Sequence, residues 1–124
     1  MATILVIDDD KIIRELITLI LESADHTVIT AQDGTSAFKC YADRKVDIVI
    51  TDILMPDMDG IEVISGLKKK DPNVKFIAIS GGGSINSNNY LKTAKLLGVK
   101  YVFQKPFDAD DILQAVNALL QEDV

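Results

Sequence analysis

Four stretches of this 124-residue sequence carry side chains able to do chemistry together: Asp8-Asp9-Asp10, Asp52, Ser80 followed by Gly81-Gly82-Gly83, and Lys105-Pro106. Carboxylates gathered within a few ångströms repel one another unless they are protonated or bridged by a cation. A hard, oxygen-seeking ion is the economical solution, and a site with few carboxylates and much water suits Mg²⁺ better than Ca²⁺. Lys105 follows an apolar run and precedes a proline, which is not the setting of an ordinary surface lysine. Its ammonium could neutralise a phosphoryl oxygen or pair with Asp52. A plainer explanation makes Asp10 a helix N-cap, with Asp8 and Asp9 favouring the helix dipole. That accounts for three acids and leaves Asp52 unexplained. The glycine run lacks the GxxxxGK[ST] pattern, so a nucleotide-binding P-loop is not supported.

Positioning these groups requires elements that end near one another, and two periodicities alternate along the chain. Short runs rich in β-branched residues occur at Ile4 to Ile7, Val28-Ile29, Val46 to Ile50, Phe76 to Ile79 and Tyr101 to Phe103. They are apolar on both faces, as strands of a covered parallel sheet are. Between them lie helical patterns: Ile13, Leu16, Ile17 and Ile20; Ala37, Phe38 and Tyr41; Ile61, Ile64 and Leu67; Leu91, Ala94 and Leu97; and Ile112, Val116, Leu119 and Leu120. The order β-α, five times over, predicts a doubly wound α/β sheet. In such sheets the ligand site lies beyond the carboxyl ends of the strands, which is where all four stretches fall. Lys68-Lys69-Lys70 reads as a solvated helix C-terminus.

Composition narrows the function classes. With 13 Lys+Arg against 19 Asp+Glu the formal net charge is −6, which argues against a generic binder of nucleic acid or anionic membrane. No apolar run approaches the roughly 20 residues that span a bilayer, and the N-terminus lacks the pattern of a secretory signal. One cysteine, Cys40, and one histidine, His26, exclude an internal disulfide, a CxxC zinc site and a histidine-rich metal site. A reduced, cytoplasmic, one-domain protein is the expectation.

Asp8-Asp9, the stretch Asp52-Ile53-Leu54-Met55-Pro56-Asp57-Met58-Asp59-Gly60, Ile79-Ser80-Gly81 and Lys105-Pro106-Phe107 together resemble the receiver domain of two-component response regulators. The resemblance runs from Ile4 to about Leu120, and Asp33-Gly34 fits it as well. It implies a flavodoxin-like sheet of five parallel strands in the order 2-1-3-4-5 with five helices. It implies that Asp52 is the phosphoacceptor for a histidine kinase or histidine phosphotransfer protein; from the residues alone, Asp9 is an equal candidate. Asp9 and Asp52 match direct Mg²⁺ ligands, Asp8 a ligand acting largely through water, and Leu54 a ligand through its backbone carbonyl. Lys105 matches the lysine that pairs with a phosphoryl oxygen, Ser80 the hydroxyl that turns toward it, and Gly81 a backbone N–H donor. Pro106 matches a proline usually preceded by a cis peptide bond.

The sequence departs from the family pattern at Val102, where an aromatic residue is common, and Tyr101 points to the opposite face by strand alternation. Leu54 and Gly82, flanking the expected path of the hydrolytic water, offer no polar side chain. Among rival readings, Asp57-Met58-Asp59-Gly60 resembles the start of a haloacid-dehalogenase phosphatase motif, but Pro56 precedes it and Asp52 already occupies the strand end. A flavodoxin-like redox module would need a first loop rich in Ser, Thr and Gly rather than three acids. A receiver-like fold that binds partners without being phosphorylated would be expected to lack one of the five site residues. With few residues after Gln121, the expectation is a single receiver domain over residues 1–124 with no output domain. Such a protein is a stoichiometric phosphoacceptor rather than an enzyme, probing a downstream protein through Tyr90 to Leu97, Tyr101 to Lys105 and Asp108 to Leu119. It would be monomeric at rest, with dimerisation on activation left open.

Overall fold

The structure, a computed structural model, describes residues 2–53, 60–80 and 87–122, with backbone alone at 87–91. Five strands alternate with five helices: β1 (Thr3–Ile7), α1 (Lys11–Glu22), β2 (Thr27–Ala31), α2 (Gly34–Asp43), β3 (Ile48–Asp52), α3 (Gly60–Lys70), β4 (Lys75–Ser80), α4 (Ser87–Leu96), β5 (Tyr101–Gln104) and α5 (Ala109–Gln121). The strands form one parallel sheet in the order β2-β1-β3-β4-β5, as expected. Parallel strands need crossovers, and the helices supply them on both faces.

Strand alternation divides the core in two. Leu5, Ile7, Val49, Phe76 and Ala78 face α2, α3 and α4 through Ala37, Val63, Ile64, Leu67 and Ala94. Ile4, Val6, Ile48, Ile50, Ile77 and Ile79 face α1 and α5 through Ile17, Leu21, Ile112, Ala115, Val116 and Leu119. Burying each such Ile or Leu side chain stabilises the fold by roughly 1.5–3 kcal/mol. That exceeds the roughly 0.5–1.5 kcal/mol of one ordinary hydrogen bond, so apolar packing fixes the central strands and can hold unfavourable charge at their ends. Polar residues set the boundaries. Asp10, Asp33 and Asp108 cap α1, α2 and α5, their carboxylates accepting from the backbone N–H of Ile12, Ser36 and Asp110. The Asp10 cap is the one expected. At the start of α3, Gly60 lies so close to the end of β3 that a Cβ would overlap the Asp52 carbonyl oxygen.

Two local expectations are corrected. The third strand runs from Ile48 to Asp52 rather than from Val46 to Ile50, because β4 offers ladder partners from Ile48↔Lys75 to Asp52↔Ile79. Asp47, just before it, instead accepts from the Thr3 backbone N–H at 2.9 Å. On α1, Ile17 and Leu21 are buried, whereas Leu16 is 44% exposed. This helix is apolar on more than one face, with Ile12 and Leu19 also exposed, and the sheet selects the stripe spaced by four. As expected, the Lys68-Lys69-Lys70 run forms the last turn of α3, and Lys70 sits 5.2 Å from the centre of the Phe38 ring. No helix among the described residues is long and apolar enough to cross a membrane.

At the amino edge of the sheet, His26 is buried and its Nδ1 accepts from the Ala2 N–H at 3.1 Å. Burial pushes the imidazole below its ordinary pKa, against the opposing charge of Asp25. Protonation would put a donor where an acceptor is needed. Between the lowered folded value and the ordinary value of about 6.5, the unfolded chain binds more protons than the folded one. Stability is therefore full above that ordinary value and falls as the pH drops through this window. Urea unfolding of the wild type is expected to show this loss, and His26→Asn, whose Oδ1 can accept without titrating, to flatten it. Equal pH slopes in the two proteins would contradict the assignment.

Candidate functional site

The chain leaves β1 for one face of the sheet and β3 for the other, so a crevice opens between their carboxyl ends. Asp8 and Asp9 follow β1, Asp52 ends β3, Ser80 ends β4 and Lys105 follows β5. Each of these residues lies at or within two residues of the point where its strand's apolar run stops. Carboxylate oxygens of Asp8, Asp9 and Asp52 all lie within 4.8 Å of one another. Asp8, Asp52 and Ser80 are buried, while Asp9 is exposed at the mouth.

Lys105 binds this cluster from the far side. Its Nζ donates to Asp8 Oδ2 at 2.9 Å and to Asp52 Oδ2 at 3.4 Å. Of the two pairings weighed from the sequence, contact with Asp52 is present, but the shorter bond goes to Asp8. Burial pulls the ammonium pKa down, yet the two carboxylates outweigh it and hold the pKa above its usual value. Burial also raises Asp8, against the Asp10 N–H and Lys105, which favour its charged form. The remaining Asp8 oxygen, Oδ1, accepts from the Asp10 N–H at 2.9 Å. The backbone N–H of Lys105 donates to the Ser80 carbonyl at 2.8 Å, joining the ends of β4 and β5. The Lys105–Pro106 peptide bond is cis.

This donor set fits a divalent cation. Three ionised carboxylates and one ammonium leave two uncompensated negative charges, and the acids supply the hard oxygen ligands that Mg²⁺ prefers. Asp8, Asp9 and Asp52 are the residues that would hold it. Leu54 and Gly81, the other candidates for metal and phosphoryl contacts, lie outside the described residues, as do Gly82 and the Asp57-Met58-Asp59 decoy.

One residue of this neighbourhood escaped the sequence reading. Arg14, on α1, donates from Nη1 to the Asp8 backbone carbonyl at 2.7 Å. Lying off the apolar stripe of α1, it carries no motif that points to this contact. The available signal was its place four residues after the Asp10 cap, since helical side chains lean toward the N-terminus. Val102 packs with the α2–α4 side of the core and Tyr101 with the α1–α5 side, the alternation expected.

Comparisons with known proteins agree with this geometry. The family described as the response regulator receiver domain matches residues 4–117. The chain is 37% identical over 118 residues to the chemotaxis protein CheY of Listeria monocytogenes, covering 94% of this chain and 97% of that one. It is 32% identical to sporulation initiation phosphotransferase F of Bacillus subtilis, covering 94% of this chain and 92% of that one. Among solved structures it resembles the response regulator protein TrrA of Thermotoga maritima in complex with Mg²⁺-BeF. There the TM-score is 0.81 and the identity 30%, over 96% of this chain and 99% of that one. With its strand order, its acidic crevice and these matches, the chain belongs to the receiver domain family of two-component response regulators.

Proposed function

We propose that this receiver domain is a phosphorylation switch in which Asp52 is the phosphoacceptor. The observation that carries the reading is the convergence of Asp8, Asp9 and Asp52 within 4.8 Å, with Lys105 bound to Asp8 and Asp52. A carboxylate oxygen of Asp52 attacks the phosphorus of a phosphohistidine. The P–N bond breaks, its electron pair leaves with the imidazole, and an acyl phosphate remains on Asp52. The donor is a sensor histidine kinase or a histidine phosphotransfer protein. Asp52 is favoured over its neighbours because it ends a central strand, between the strand ends that bring the other acids and Ser80.

Phosphoryl transfer depends chiefly on placement and on neutralising the oxygens. Asp8, Asp9 and Asp52 would hold Mg²⁺, which when bound would supply part of that neutralisation, and Lys105 can move from Asp8 to a phosphoryl oxygen. The new dianion gives the Ser80 hydroxyl an acceptor. Because Lys105 N–H is bonded to the Ser80 carbonyl, a shift at either residue is carried to β5. In this reading the domain turns over no substrate of its own. It acts in the cytoplasm, docking on a downstream protein or passing the phosphoryl group on.

Intact-mass analysis after incubation with acetyl phosphate and Mg²⁺ is expected to show one phosphoryl adduct, labile to hydroxylamine. The adduct is expected to vanish completely in Asp52→Asn and in the presence of EDTA. Wild-type labelling of Asp52→Asn would overturn the reading. Ser80→Ala is expected to keep the adduct while amide shifts along β5 shrink by more than half. A shift pattern identical to that of the wild type would remove Ser80 from the switch.

A further inference from the structure

We infer that Arg14 is a positioning residue for the acidic cluster: by holding the Asp8 carbonyl it fixes the carboxylate geometry on which Mg²⁺ binding depends. The inference rests on the reading of the cluster as a cation site. Asp8 lies one residue beyond β1, where the strand ladder no longer dictates the backbone. Four contacts hold it there. Its N–H donates to the Ala31 carbonyl at 3.2 Å, its Oδ1 accepts from the Asp10 N–H, its Oδ2 from Lys105, and its backbone carbonyl from Arg14 at 2.7 Å. The Lys105 contact is one that phosphorylation would disturb, and the Asp10 contact forms within the same turn.

Among the described residues, Arg14 is the one whose side chain ties the Asp8 carbonyl to the body of a helix. Its own backbone N–H donates to the Asp10 carbonyl at 3.0 Å, and its carbonyl accepts from the Thr18 hydroxyl at 2.7 Å. The guanidinium therefore reaches back from a fixed point on α1. A charge-assisted bond of this length is of the strong kind, and without it a carbonyl of a residue 1% exposed loses that partner. Arg14 touches backbone rather than carboxylate, so it acts through Asp8.

The test is a Mg²⁺ titration of wild type, Arg14→Met and Arg14→Lys, read by backbone amide shifts at Asp8 to Asp10. Loss of an outer-shell partner typically weakens metal binding by about 10- to 100-fold. That is the loss expected for Arg14→Met, with most of the affinity regained in Arg14→Lys. In metal-free protein, hydrogen exchange at the Asp10 amide is expected to quicken in Arg14→Met and to return toward wild type in Arg14→Lys. Arg14→Gln serves the same comparison where Arg14→Met does not fold. Mg²⁺ affinity within about twofold of wild type, together with unchanged Asp10 exchange, would overturn the inference. A wild type that binds no Mg²⁺ would instead overturn the cation-site reading, and the Asp10 exchange would then decide the role of Arg14 by itself.

Discussion

Three carboxylates within 4.8 Å of one another set the constraint that the rest of this site answers. Two like unit charges about 4 Å apart repel by about 4 kcal/mol at an effective dielectric of about 20. An exposed ion pair, worth about 0–1 kcal/mol, cannot offset that. The fold answers by paired means. Apolar packing along β1, β3 and β4 holds the strand ends in place against the repulsion, and Lys105 brings a positive charge from β5 between Asp8 and Asp52. What the ammonium leaves uncompensated is two negative charges, the complement of a divalent ion.

The same arrangement explains how a local charge event can reach the surface. Ser80 and Lys105 are joined through a backbone hydrogen bond at the ends of β4 and β5, so a change in either position bears on both strands. In many receivers an aromatic residue near the end of the fifth strand accompanies this change. Here Val102 occupies that place, paired in register with Ala78 and packed on the same core face as Ala94. A β-branched side chain has few χ1 states, so the proposed switch has no aromatic rotamer at this position to draw on.

Much of this was legible in the sequence, for a physical reason. A strand buried on both faces is largely apolar, so the first charged residue after the run marks its carboxyl end in β1 (Asp8), β3 (Asp52) and β5 (Lys105), and Ser80 closes β4. The opposite faces of Tyr101 and Val102 followed from strand alternation, whereas the sheet order was implied by the resemblance to the receiver family. Other features depend on contacts that periodicity does not encode. The β3 boundary moved because ladder partners on β4 decide it, and Leu16 turned outward because α1 offers more than one apolar stripe. The preference of Lys105 for Asp8 over Asp52, and the reach of Arg14 to the Asp8 carbonyl, are ångström-scale outcomes of packing between elements far apart in sequence.

The central claim, that Asp52 and not a neighbouring acid receives the phosphoryl group, is tested most directly by borohydride trapping. The protein is phosphorylated by acetyl phosphate with Mg²⁺, the acyl phosphate is reduced to the alcohol, and the modified position is read by tandem mass spectrometry of its peptides. The account predicts conversion of Asp52 to homoserine with Asp8 and Asp9 intact. Conversion at Asp8 or Asp9 with Asp52 unchanged would contradict it.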